Sequence, residues 1–394
     1  MKSSQLTDSE INVFVKKIRA EEVAFKRGIS NPAEVQELTW MDYVKGKVKS
    51  LLFTFRSICD FVLLIILSVS PKHRRKRMVY SAVNFMSNNQ GKFEDRFLRT
   101  LFRDDILYIN TSKEVYFSYV GTNRVFNIGG IVKLINIFTR SNESIIKYFR
   151  AHQLINTMVL MAYRPKEVYL MWYYDTNSLS IIFSRFREKL KIIEVQHGSI
   201  INYPPYSFVS EVNLVDCFYV KNEQTVSFLQ QNLCKKFDCE FRLIPKNKVE
   251  KFDVDGVHIL YASTPDFRGL HPVFLDFLNY AGRIKNLNIK IRLHPRERNE
   301  VCVQRFRSQM SDYQVVYEFD ESSDMIIGNP LDDLIVVSPW SSSIEDAYDA
   351  NITSVIIDNA GKERFSHLID NEKCFYSNSL FSTLKLILPQ EIDC

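Results

Sequence analysis

Glycine and proline are scarce in this chain, 12 of each in 394 residues, and no stretch is dominated by a few residue types. That excludes a collagen-like, linker-rich or disordered protein and leaves a folded one. Clustered cysteine is also missing: Cys59, Cys217, Cys234, Cys239, Cys302, Cys374 and Cys394 are scattered and odd in number, with no CxxC pair. Such usage excludes a disulfide scaffold and fits a reducing compartment. Cys234 and Cys239 stand close but lack a nearby His or further Cys, so no metal site is expected. No secretory signal is read, because the first apolar run follows about fifty mostly polar residues. A large charge excess is lacking too: 51 basic against 46 acidic residues give +5, too little to expect nucleic acid as a partner.

What is present is enough chain for two domains. Residues 1–100 are expected to form a helical region, with Thr7, Asp8 and Ser9 ahead of Ile11, Val13, Phe14 and Ile18 marking a first helix. Residues 45–77 follow: Lys45, Lys47 and Lys49, then Leu51 to Val69, then the cluster Lys72 to Arg77. Arg56 and Asp60 interrupt the apolar part and only Phe61 to Leu67 is unbroken, short of the roughly 20 residues that a span needs. Basic flanks around an apolar helix fit a segment lying on an anionic membrane surface; a buried helix followed by a solvated basic turn fits as well.

From Ile106 onward strands and helices alternate. Val115 to Val120 and Arg124 to Ile128 read as strands, and Ile131 to Met161 as helix broken near Ser141 to Ser144. Glu167 to Tyr174, Thr176 to Leu190 and Lys191 to Val195 read as a strand–helix–strand unit, with Val212 to Val220 a further strand and Asn222 to Leu233 a further helix. Residues Cys234 to Asp255 look irregular, which puts a boundary near 250 and gives domains of 101–250 and 251–394. The second repeats the pattern: strand Val257 to Tyr261, helix Pro272 to Ile284, strand Ile289 to Leu293, helix from about Asn299 to Met310, a strand near Val315 to Tyr317, and strand Leu334 to Val337. Two successive α/β halves imply two Rossmann-like domains facing a cleft, with ligands at the carboxyl ends of the strands.

Four strand-end loops carry candidate chemistry. His197, directly after a buried strand, has an ordinary pKa near 6.5 and suits a general base, with Gly198 permitting a tight turn. Alternation sends Arg292 and His294 to one face, where a guanidinium and an imidazole suit phosphate oxygens. Ser263, Thr264 and Arg268 offer further contacts. Ser338 to Ser343 precedes a helix at Ile344 to Ala350, so its serines either bind phosphate at the helix start or simply cap it.

The order EVQHGS (Glu194 to Ser199), RLHP (Arg292 to Pro295) and SSSIEDA (Ser341 to Ala347) resembles the GT-B-type bacterial surface-polysaccharide transferases, including the polysialyltransferase, capsule Kdo transferase and CDP-glycerol glycerophosphotransferase groups. The resemblance covers roughly Val168 to Asp358. It implies a GT-B-like fold in which residues 101–250 hold the acceptor and 251–394 the nucleotide-sugar donor. It implies His197 as base, with Glu194 the second catalytic candidate and Gln196, Gly198 and Ser199 on the acceptor side. Arg292, His294, Ser341, Ser342, Ser343, Ser263 and Thr264 would meet the donor, and Glu345 or Asp346 the ribose. Gln196-His197 stands where sialyltransferase relatives carry an acidic pair, and Pro339-Trp340 where teichoic acid polymerases carry Asp-Tyr.

The function so implied is transfer of a sugar from a nucleotide-activated donor to a glycan or lipid-linked glycan of a bacterial capsule or lipopolysaccharide. No metal or other cofactor is expected. The expected location is the cytoplasm, at the inner face of the cytoplasmic membrane. The alternatives are a CDP-glycerol-type phospho-alditol transferase and a non-catalytic, membrane-bound assembly protein.

Overall fold

A computed structural model describes residues 6–29, 40–69, 77–81, 106–110, 119–120, 123–139, 143–196, 198–244, 256–265, 267, 269–294, 297–298, 300–313, 315–320, 334–369 and 372–388. They fall into two compact units that divide near Pro245, with Ile201–Tyr203 grouped with the second.

The first unit opens with α1 (Asp8–Ile29) and α2 (Trp40–Val69). A capping box starts α1: the Thr7 hydroxyl accepts from Glu10 N–H at 3.3 Å, and the Glu10 carboxylate accepts from Thr7 N–H at 2.7 Å. Then come β1 (Arg77–Ser81), β2 (Ile106–Asn110), β3 (Tyr119–Val120), β4 (Asn123–Asn127), α3 (Gly129–Phe138), α4 (Ser144–Tyr163), β5 (Glu167–Leu170), α5 (Thr176–Ile182), β6 (Lys191–Val195), β7 (Cys217–Val220), α6 (Glu223–Gln231) and β8 (Glu240–Leu243). The sheet runs β3-β4-β2-β1-β5-β6-β7-β8, parallel except for the β3–β4 pair.

Several expectations need correcting here. The sheet begins inside residues 1–100, because β1 pairs with both β2 and β5. Strand β5 stops at Leu170, where Met171–Tyr174 leave the ladder as an aromatic turn. The helix expected to Leu190 ends at Ile182, and Arg187 folds the chain back by gripping both Asp216 oxygens at 2.8 Å. Strand β7 starts only at Cys217, since the Ser210 hydroxyl bonds Val212 N–H and C=O and holds that stretch in a turn. The segment that looked irregular contains β8, an edge strand whose charged residues hide its pairing with β7. Of Val115 to Val120, residues 115–118 lie outside the described residues.

The second unit contains β9 (His258–Ala262), α7 (Pro272–Leu278), β10 (Asn288–Arg292), α8 (Glu300–Ser311), β11 (Tyr317–Asp320), β12 (Leu334–Ser338), α9 (Ser343–Asp349), β13 (Thr353–Ile356), α10 (Asn359–Arg364), α11 (Ser366–Ile369), β14 (Cys374–Tyr376) and α12 (Leu380–Ile387). Helix α7 is shorter than expected, giving way to a 3-10 turn at Ala281–Arg283. All strands are parallel, in the order β11-β10-β9-β12-β13-β14.

The central strands β9 and β12 are buried on both faces, which is why they read as near-continuous apolar runs, whereas β10 alternates buried Ile289 and Ile291 with half-buried Lys290 and Arg292. Ile259, Tyr261, Ile291, Ile335, Val337 and Val355 pack with Phe274, Phe306 and Leu384 on one face. Leu260, Val336 and Ile356, one residue out of phase, pack with Ile344, Ala347 and Phe365 on the other. Numbered within the unit, the strand order is 3-2-1-4-5-6. The order of strand addition reverses between β9 and β12, the topological switch point at whose carboxyl ends ligands bind in sheets of this kind.

Candidate functional site

In the first unit the expected site lies at the end of β6. Glu194 is fully buried. Its Oε2 accepts from Tyr173 N–H at 3.1 Å and its Oε1 accepts from the Tyr206 hydroxyl. The Tyr173 hydroxyl in turn donates to the Pro205 carbonyl, and Tyr173, Tyr174 and Tyr206 pack edge to face with centroids 5.3 to 5.7 Å apart. Burial pushes the Glu194 carboxyl up to about 8, against the opposing pull of the bonds from Tyr206 and Tyr173. Burial thus favours the protonated form of this carboxyl. It ties the ends of β5 and β6 to the Pro204–Tyr206 turn, with both carboxyl oxygens engaged inside the unit.

Gln196 is likewise consumed inside. Its N–H donates to Tyr219 O at 2.9 Å, its Oε1 accepts from Lys221 N–H at 2.8 Å, and its Nε2 donates to Gly198 O at 3.0 Å. The turn is thereby stapled to β7. Gly198 sits at φ +77, in the left-handed region, with open space where a Cβ would stand. Ser199 is buried. His197 lies outside the described residues, between Gln196 and Gly198, which are both placed.

In the second unit three of the expected loops fall on three neighbouring strand ends, β10, β9 and β12. Arg292 and His294 are half-buried and alternate with buried Ile291 and Leu293. Ser263 joins the β9 and β10 ends: its N–H donates to Arg292 O at 2.9 Å, its hydroxyl accepts from His294 N–H at 2.8 Å and donates to Glu297 Oε2 at 2.6 Å. Its one hydroxyl proton goes to Glu297, so Ser263 supports the turn between the two strand ends. Thr264 next to it is buried, and among the described residues its Oγ1 has no hydrogen-bond partner.

Ser338 makes the equivalent tie between β12 and β9, donating to Ala262 O at 2.8 Å and accepting from Ser341 N–H at 3.0 Å. Ser341 accepts from Ser343 N–H at 3.3 Å, and its hydroxyl lies 3.2 Å from that of Ser343. Ser342 precedes α9 in the helical region at φ −60 and makes no side-chain cap bond, because a capping side chain needs extended backbone. Among the described residues its hydroxyl has no partner. Glu345 is buried and Asp346 half-buried in the first turn of α9.

Two supporting residues escape a reading by motif. Glu297, buried beyond the HP turn, buttresses it through Ser263 and through Glu297 N–H to His294 O at 2.7 Å. His271 caps α7: its Nδ1 accepts from Val273 N–H at 3.2 Å, which assigns the proton to Nε2, 3.5 Å from Asp358 Oδ2. The spacing HPRE was the available signal for Glu297; His271-Pro272 at a helix start was the signal for His271.

No family model matches the chain, and no curated protein sequence matches it. Solved structures do. A protein of Listeria monocytogenes assigned as a UDP-N-acetylglucosamine 2-epimerase is similar with a TM-score of 0.50 at 11% identity, over 79% of this chain and 88% of that one. The UDP-GlcNAc 2-epimerase of Neisseria meningitidis bound to UDP-GlcNAc is similar with a TM-score of 0.49 at 12% identity, over 80% and 92%. Sucrose-phosphate synthase of Thermosynechococcus elongatus follows with 0.46 at 12%, over 81% and 90%. The chain has a GT-B-like fold, with two doubly wound α/β units and a helical N-terminal segment.

Proposed function

We propose that the protein is a nucleotide-sugar-dependent glycosyltransferase that extends a bacterial surface glycan of the capsule or lipopolysaccharide kind. The observation that carries this reading is the strand order 3-2-1-4-5-6 of the second unit, which sets the loops of Arg292 and His294, Ser263 and Thr264, and Ser341 to Ser343 on adjacent strand ends. Thr264 Oγ1, buried with no partner among the described residues, and the Ser342 hydroxyl, which makes no cap bond, follow β9 and β12 at this switch point, where a diphosphate would supply acceptors. Arg292 and His294 then offset the charge that grows on the departing nucleotide, and no divalent ion is required. In the first unit His197 takes the proton of the acceptor hydroxyl as that oxygen attacks the anomeric carbon. Gln196 and Glu194 hold its turn.

Purified full-length protein is tested with UDP-, GDP- and CMP-sugars and CDP-glycerol, first by thermal stabilisation and then for turnover. A donor at 100 times its Kd stabilises by about 2.7 kcal/mol. Folded His197→Ala should keep that stabilisation while transfer falls by about 10²- to 10⁴-fold. Folded His294→Ala should lose the stabilisation. Near-wild-type transfer by both variants would sink the mechanism, and preferential use of CDP-glycerol would reassign the donor.

A further inference from the structure

Helix α2 is built inside out. Between Leu51 and Val69 the exposed positions are Leu51, Leu52, Phe55, Cys59, Val62, Ile66 and Val69, which at about 100° per residue occupy one sector roughly 100° wide. The six large apolar residues among them are 51% to 77% exposed. Buried positions Phe53, Ser57, Asp60, Phe61, Leu64 and Ser68 occupy the opposite sector, and all the polar side chains of the two sectors lie on this inner one.

Ser57 and Asp60 bond to the rest of the unit, while the Ser68 hydroxyl donates to Ile65 O of its own helix at 2.6 Å. The buried Asp60 carboxylate accepts from Asn127 N–H at 3.2 Å and from Asn127 Nδ2 at 3.3 Å. Ser57 Oγ accepts from Gly130 N–H at 3.0 Å, and the Tyr163 hydroxyl donates to Leu64 O at 2.6 Å. Helices α2 and α3 meet backbone to backbone, since a Cβ on Gly130 would lie 2.8 Å from Thr54 Cα. Apolar exposure continues on α3, where Ile137 and Phe138 are 65% and 77% exposed.

We infer that the outer face of α2 is a lipid-binding surface, and that the helix lies in the plane of an anionic membrane without crossing it. Length and composition alone would let Leu51–Val69 cross a membrane. Crossing would strip Asp60 and Ser57 from Asn127 and Gly130 and carry both Asp60 and Arg56, 3.9 Å apart on the same helix, into hydrocarbon. An in-plane helix keeps every inner bond and buries only the outer stripe. Charge selects the occupant. Lys45, Lys47 and Lys49 precede the uncharged stripe in sequence, and Lys72, Arg74, Arg75, Lys76 and Arg77 follow it. A second copy packed along the same stripe would bring these like-charged flanks together, whereas anionic headgroups neutralise them.

This inference stands apart from the nucleotide-sugar reading, and its test uses no substrate. Full-length protein is floated with vesicles of phosphatidylcholine alone and of phosphatidylcholine mixed with phosphatidylglycerol. Binding should be at least about tenfold stronger to the mixed vesicles. The variant Phe55→Gln/Val62→Gln/Ile66→Gln should stop floating with its melting curve unchanged, because all three side chains are exposed. Single variants Leu52→Trp and Ile66→Trp should be quenched equally by lipids brominated at a given acyl depth, whereas a crossing helix would separate them by about 21 Å along the bilayer normal. Absence of flotation, flotation of the triple variant, unequal depths, or a lipid-free dimer that the triple variant splits would each overturn the inference.

Discussion

The Ser263 hydroxyl donates to Glu297 Oε2 across 2.6 Å while accepting from His294 N–H at 2.8 Å, so one buried hydroxyl locks the end of β9 to the HP turn after β10. Ser263→Ala leaves a buried carboxylate oxygen and a backbone N–H without that partner, a loss of about 1 to 3 kcal/mol. Urea unfolding should show this loss. Donor affinity, measured by calorimetry, should fall with it, because the lock positions the His294 turn. Equal affinity in the two proteins would mean that His294 does not depend on this lock.

Glu194→Gln tests the tyrosine clamp through pH. With its folded pKa raised to about 8, Glu194 keeps its proton in the native state while the unfolded chain releases it above about 4.5. Its contribution is therefore full below pH 4.5 and is lost as pH rises through 8, at up to about 1.4 kcal/mol per unit. Unfolding curves from pH 5 to 8 should be flatter for Glu194→Gln than for the wild type, and the variant should be the more stable of the two at pH 8.

His152 gives the opposite slope. It is buried against Tyr148 with ring centroids 4.5 Å apart, and burial holds its pKa down near 3, opposed by a bond to Asn177. The unfolded chain takes up the proton near pH 6.5 and the native state does not, so stability is full above 6.5 and falls as pH drops towards 3. His152→Gln removes the titration, and its unfolding free energy should change less between pH 6 and 4 than that of the wild type. An identical acid slope would place the sensitivity elsewhere.

These groups show where sequence is and is not legible. The second sheet is legible at its centre, where a strand buried on both faces leaves the apolar run Leu334 to Val337, and at β10, where buried Ile289 and Ile291 alternate with Lys290 and Arg292. The clamp on Glu194 is not, because its partners Tyr173 and Tyr206 stand 21 and 12 residues away and no local period connects them. The polarity of α2 is half legible. Helical period separates the face with Asp60 from the face with Phe55, but period alone does not say which one turns inward. Asn127, 67 residues later, decides it. Ser263 illustrates the same limit: its residue type suits phosphate, and only the fold shows its proton given to Glu297.

Two glycines separate the halves of the proposed reaction. A Cβ on Gly361 would stand 1.9 Å from the Pro339 carbonyl oxygen and 2.7 Å from Ile356 Cγ2, so α10 packs directly on the turn that follows β12. Backbone cannot rotate away as a side chain does, and Gly361→Ala should cost about 1 to 3 kcal/mol or more, displacing the Ser341 to Ser343 loop and weakening nucleotide binding. At Gly198 a Cβ meets nothing within 4 Å, and the cost of Gly198→Ala is the left-handed backbone alone, about 1 to 2 kcal/mol. That strain falls on the turn carrying His197. Gly198→Ala should therefore lower kcat while leaving nucleotide stabilisation near that of the wild type, and Gly361→Ala should lower nucleotide stabilisation first. A Gly198→Ala protein that loses nucleotide binding as Gly361→Ala does would place the donor, not the acceptor, at the His197 turn.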